Sequence, residues 1–203
     1  MANHKRTETA SKLKKFYSTM SNAVKLSETE NGIPSYEWGL SCSDEGENHQ
    51  DIEKYLLKYI SYSKYEKIQS DDDIYNGLGG WIEGDPELGY KYYLNDGSMF
   101  FTGDCSYMIY YDVNGDKGPN QSGRDIFMFY ILYSDDRQPK LAQEVPHFNT
   151  KDGSPIPWEE GYESYFTRDY ILSHTCNGQN SSTCSTLIEM DGWEIKDDYP
   201  FRL

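Results

Sequence analysis

No run of apolar residues in this 203-residue chain reaches the length of about twenty that a bilayer-spanning helix takes. Basic residues are also few: 19 Lys and Arg face 34 Asp and Glu, a net charge of −15. Nucleic acid and anionic membrane surfaces both demand cationic patches, so the charge balance argues against either as a partner. No Cys-x-x-Cys pair occurs and no histidine stands at zinc-finger distance from a cysteine, which speaks against a structural zinc site. A Gly-x-Ser-x-Gly elbow is missing, and Gly77-Leu78-Gly79-Gly80 lacks the Lys-Ser/Thr and helix that complete a phosphate loop. His4, His49, His147 and His174 are scattered, none beside an obvious nucleophile. Nucleophilic catalysis and nucleotide binding thus have no motif behind them.

What the chain does have is tyrosine. Nineteen Tyr, eight Phe and four Trp make 15% aromatic residues at a mean hydropathy of −0.83, a composition that suits half-buried strands. Four cysteines at 42, 105, 176 and 184, an even number in an acidic, Tyr-rich chain, read as two disulfides and an oxidising compartment. Of the three pairings we expect Cys176–Cys184, across the polar loop 177–183, and by elimination Cys42–Cys105. The charge is uneven: His4, Lys5, Arg6, Lys12, Lys14 and Lys15 precede a body that is mostly acidic. Such a basic start is either a solvated helix face or the stretch just outside a membrane segment.

Apolar periodicity predicts an amphipathic helix over 7–27. Ala10, Leu13, Phe16, Tyr17, Met20, Ala23 and Val24 share one face, Thr7 or Thr9 stands as a cap, and Asn31-Gly32 ends the region. A second helix is predicted at about 48–62, from Ile52, Tyr55, Leu56, Tyr59 and Ile60. Strands follow at 90–94 and 99–102, flanking the hairpin signal Asn95-Asp96-Gly97, then at 107–112 and 125–133, giving an antiparallel meander. Beyond 134 the chain reads as largely irregular, with a short helix near 159–172 and helical character over 184–190. One domain is expected, divided as 1–31 (helix), 32–89 (second helix and connections), 90–133 (sheet) and 134–203 (loop-rich C-terminal region). The chain opens inside a helical pattern, from which we expect a further segment upstream.

The loop between the last two strands, Asp112-Val113-Asn114-Gly115-Asp116-Lys117-Gly118-Pro119-Asn120, is the richest in chemistry. Asp-x-Asn-x-Asp spacing sets oxygen ligands along the inside of a turn, as a hard cation such as calcium requires. Asp112, Asn114, Asp116 and the Gly118 carbonyl match the first, third, fifth and seventh places of an EF-hand. Lys117 and Gly123 then occupy the places of its obligatory Gly and Glu, so an EF-hand is excluded. Asp125 could close a different cage; the bland reading is a solvated polar turn.

Three stretches together resemble the type IV pilin-like proteins, the group of pilins and type II secretion pseudopilins. They are Leu13-Lys14-Lys15-Phe16-Tyr17-Ser18-Thr19-Met20 with the residues before it, Tyr93–Gly97 through Asp112–Gly115 to Gly118-Pro119-Asn120 and Gly123-Arg124-Asp125-Ile126-Phe127, and Cys184 onward to Asp191-Gly192-Trp193-Glu194-Ile195 and Tyr199-Pro200. The family's cleavage site and apolar half-helix are not in these residues. The resemblance implies an α+β fold, an N-terminal helix packed on an antiparallel meander through Leu13, Phe16, Tyr17 and Met20. It implies a structural subunit of a pilus or pseudopilus fibre without enzymatic activity, partnered by other subunits and inner-membrane assembly machinery, outside the cytoplasm. The membrane would be met only through the missing N-terminal segment. Some pseudopilins bind calcium beside the sheet, which strengthens that reading of Asp112, Asn114, Asp116 and Asp125. The alternative is a secreted calcium-dependent binding module with carbohydrate as ligand.

Overall fold

The computed structural model describes residues 2–40, 48–69, 89–103, 105–131 and 167–203. The chain begins with helix α1 (Ala2–Asn31), thirty residues and so about 45 Å long. It buries Ala10, Leu13, Phe16, Met20, Ala23 and Val24, the three/four spacing of a single face. α1 is longer than expected at both ends. Thr7 does not cap it: its hydroxyl donates to the Asn3 carbonyl 2.9 Å away, an i−4 bond within the helix. The C-terminus closes at Gly32, whose φ of 70° suits glycine and whose N–H reaches the Glu28 carbonyl. Glu28 then accepts from both the backbone and the hydroxyl of Ser35, which turns the chain back.

The second helix is shorter than its periodicity implies. α2 (Asn48–Tyr55) gives way to a 3-10 turn, Leu57–Tyr59, and a strand that the periodicity did not reveal, β1 (Tyr62–Lys67), follows. Strands β2 (Tyr90–Leu94), β3 (Met99–Thr102), β4 (Met108–Asp112) and β5 (Ile126–Tyr130) complete the sheet. All pair antiparallel in the order β1-β2-β3-β4-β5, an uncrossed meander. The Asn95-Asp96-Gly97 turn joins β2 to β3: Asp96 accepts from the Ser98 N–H and hydroxyl, and Gly97 takes φ 82°.

Register puts Phe100 beside Tyr111 and Tyr111 beside Phe127, an aromatic row on the face that α1 covers. Phe16 of α1 stacks on Tyr111 at 4.0 Å and meets Phe129 edge-on at 5.5 Å. Leu13 and Met20 are wholly buried in the same core, while Tyr17 is half-exposed and sits between Phe129 and Trp193. The opposite row, Phe101, Tyr110 and Met128, is buried as well. The architecture is therefore α+β, helix on antiparallel sheet.

The C-terminal part begins with α3 (Arg168–Tyr170), capped by the Thr167 hydroxyl and running into a π turn, Ile171–Thr175. Most of the helix expected at 159–172 lies outside the described residues, as do 70–88 and 132–133. Helix α4 (Cys184–Met190) stands where helical character was expected and is tied to β5 by the Ser185 hydroxyl donating to the Met128 carbonyl. Cys176 is bonded to Cys184. Cys105 is disulfide-bonded too; its expected partner, Cys42, lies outside the described residues. Among the described residues no helix is long and apolar enough to cross a membrane.

Candidate cation site

The 112–125 loop begins where β4 ends, so the sheet carries Asp112 into the interior before the chain turns. Asp112 is fully buried. One of its oxygens, Oδ1, accepts from the Asn114 and Gly115 backbone N–H groups at 2.9 and 3.1 Å. The other, Oδ2, has no partner. Across the loop, buried Asp125 accepts from the Gln121 N–H at 2.5 Å and the Asn120 N–H at 3.0 Å. The Asn114 amide lies between them, 3.4 Å from Asp125 Oδ2 and 3.5 Å from the Gly118 carbonyl. Both contacts are long for a hydrogen bond, and half a turn about χ2 would bring Oδ1 to that spot instead.

Of the six buried, partnerless side-chain polar atoms among the described residues, four lie in this loop: Asp112 Oδ2, Asn114 Oδ1, Asn120 Oδ1 and Arg124 Nε. Leaving such atoms unpaired costs about 1–3 kcal/mol each, so their concentration in one place calls for a cause. Three are oxygens, and with Asp125 and the Gly118 carbonyl in the same loop they are of the chemical type that a hard cation takes. Electrostatics agree. Burial, and then the negative charges of Asp125 and Asp116, push the Asp112 carboxyl up to about 8, against backbone donors that pull it down. A divalent cation would supply the missing positive charge.

Not every expected ligand faces inward. Asp116 is exposed and accepts from the Tyr93 hydroxyl at 3.0 Å, so it contributes charge from outside the oxygen set. Asn120, unforeseen in the sequence, is the buried residue instead: it is 4% exposed with φ 51°. Asn is among the few side chains that adopt this left-handed region readily, and an Asn directly after Gly118-Pro119 was the available signal. Among the described residues no three Asp, Glu, His or Cys side chains form a metal-holding group; the oxygens here are two carboxylates, two side-chain amides and a main-chain carbonyl.

Three neighbours brace the loop. Lys12 of α1 donates to the Val113 carbonyl at 2.9 Å. Gly115, at φ 66°, passes so close to the β2–β3 turn that a Cβ there would meet the Gly97 carbonyl at 2.6 Å. Tyr199 near the C-terminus donates to the Gly123 carbonyl at 2.5 Å.

Of the described histidines, His49 and His174 make packing contacts, while His4 is exposed on α1. His49 stacks on Tyr90 at 4.3 Å with Nδ1 2.9 Å from the Tyr92 hydroxyl. Ser173 Oγ is 2.8 Å from His174 Nδ1 but also bonds the Asp169 and Tyr170 carbonyls of its own turn.

Helix, meander and buried oxygen loop define an α+β protein with a candidate hard-cation site at the β4–β5 connection. The chain belongs to a family of unknown function, DUF6613, whose model matches residues 1–203. Comparison with curated proteins gave no match, and comparison with solved structures gave none.

Proposed function

We propose that the chain is the globular part of a structural, non-enzymatic subunit of a type IV pilin-like fibre, either a pilus or a secretion pseudopilus. The observation that carries this reading is the seating of α1. A thirty-residue helix lies with one apolar face on an antiparallel meander, fixed by Phe16 on Tyr111, as a fibre subunit needs when a helix must bear load into a folded body. The partners are then other subunits and inner-membrane assembly machinery, and the membrane is met through an apolar segment upstream of Met1. The Cys176–Cys184 bond suits a location outside the cytoplasm.

Within that body, Asp112, Asn114, Asn120 and Asp125, with the Gly118 carbonyl, would hold calcium. The ion neutralises the clustered acids and stiffens the loop when bound. Asp112 and Asp125 balance its charge, and the amide and main-chain oxygens fill the remaining positions.

The coding sequence upstream of Met1 tests the fibre reading. A short basic leader and about twenty apolar residues in frame are expected. An ordinary cleavable leader directly before Met1 would contradict it.

A further inference from the structure

The loop's far side bears on a different part of the molecule. Gly123 lies between the two buried residues Asn120 and Asp125, in a tight stretch where the Gln121 carbonyl accepts from the N–H groups of residues 124, 125 and 126. The Gly123 carbonyl holds the Tyr199 hydroxyl, and Tyr199 is itself buried. The Phe201 ring closes over the same glycine: a Cβ there would stand 2.7 Å from Cε2 of Phe201 and 2.9 Å from Ser181 Cβ in the disulfide loop. One glycine therefore receives both the C-terminal segment and the loop bridged by Cys176 and Cys184.

We infer that the cation, by fixing Asn120 and Asp125, sets the Gly123 platform on which the C-terminal segment and the disulfide loop dock, so that cation occupancy controls the order of that surface. This rests on the cation reading of the 112–125 loop. Asn120 and Asp125 bound the stretch with Gly123 between them, so the chain there has little freedom once both ends are ligands. Without the ion, the Asp112 Oδ2 and Asn120 Oδ1 atoms lack partners, and Gly123 is held by the backbone bonds of the 121–126 turn alone. The effect is selective. Strands β3 and β4 are held by their own ladder and by α1, whereas residues 199–203 are seated on the loop through Tyr199 and Phe201; Asp197 and Asp198 just before them are held separately by Arg6 and Arg168. Coupling of this kind is reciprocal: a detached tail must weaken the ion's binding by the same factor that the ion strengthens docking.

Hydrogen–deuterium exchange on the whole chain, with excess calcium or with chelator, tests this, with calorimetry of calcium binding run beside it. Calcium is expected to slow exchange of 199–203 and 177–183 about tenfold, an ordinary size for coupling between sites, and to leave β3 and β4 unchanged. Tyr199→Phe keeps every proposed ligand, yet is expected to speed exchange of the tail with calcium present and to weaken calcium binding. Calcium heat with no change in tail exchange overturns the coupling alone. Absence of calcium heat in the wild-type protein overturns the cation reading beneath it.

Discussion

Replacing Phe16 by alanine removes the ring on which the helix–sheet contact centres. The side chain is 3% exposed, stacks on Tyr111 at 4.0 Å with its plane tilted by only 8°, and has Phe129 and Phe100 at 5.5 and 6.0 Å. Its neighbours belong to two elements, a helix and a sheet, whose backbones are held elsewhere and cannot close over the gap. A Phe→Ala change at such a site costs about 3–5 kcal/mol, which lowers the melting temperature of a domain this size by about 6–20 °C. Urea unfolding followed by intrinsic fluorescence, with disulfides intact, should show the midpoint falling with little change in slope. Lys14→Ala, on the exposed side of α1, should stay within about 0.5 kcal/mol of wild type. A loss below about 1 kcal/mol for Phe16→Ala would mean that α1 is not seated on the sheet in solution, and the load-bearing role proposed for it would go with it.

Further tests concern the C-terminal region. Burial pushes the Glu189 carboxyl up to about 6, so the folded state keeps a proton that the unfolded chain releases earlier. Stability is then lost as pH rises from about 4.5 through 6, by about 2 kcal/mol, and Glu189→Gln should flatten that limb in denaturation series at several pH values. Arg168 pairs with Asp191 and Asp198, and both carboxyls are lowered, against burial, by bonds to it and, for Asp191, to Lys196. Here the sign is opposite: the contribution is present above the ordinary carboxylate range and lost as pH falls through the lowered values. Arg168→Ala should weaken the acid limb and cost about 2 kcal/mol at neutral pH, read by urea midpoint. Replacing Cys176 and Cys184 together by serine opens the closed loop and should cost about 2.6 kcal/mol on the chain-entropy account, measured the same way.

Much of the sheet was legible because its signals are local. Asn95-Asp96-Gly97 can only be a tight reversal, and the aromatic runs on either side alternate as strands do. The α1 face was legible from Leu13, Phe16 and Met20, although its ends were not. A Thr7 hydroxyl suits a helix cap, but inside the helix the same group bonds back to Asn3. β1 was hidden because Leu56 and Ile60 keep helical spacing, while the strand after them is an edge whose residues are mostly exposed and whose conformation is fixed by pairing with β2, a contact no local pattern carries. In the 112–125 loop, spacing singled out Asp112, Asn114, the Gly118 carbonyl and Asp125 as neighbours in one turn. It could not tell that Asp116 turns to Tyr93 or that Asn120 turns in, since both depend on backbone dihedrals after Gly118-Pro119. The seat of Tyr199 on Gly123, across 76 residues, had no sequence signal at all.

The most direct test of the cation site is crystallographic: an anomalous difference map from crystals of the chain grown with calcium. The expected result is one peak at about 2.3–2.6 Å from the coordinating oxygens, among Asp112 Oδ2, Asn120 Oδ1, Asp125, Asn114 and the Gly118 carbonyl, with Asp116 outside the shell. A loop with no peak at saturating calcium, its Asp112 and Asn120 oxygens bonded instead to water or to protein donors, would contradict the account.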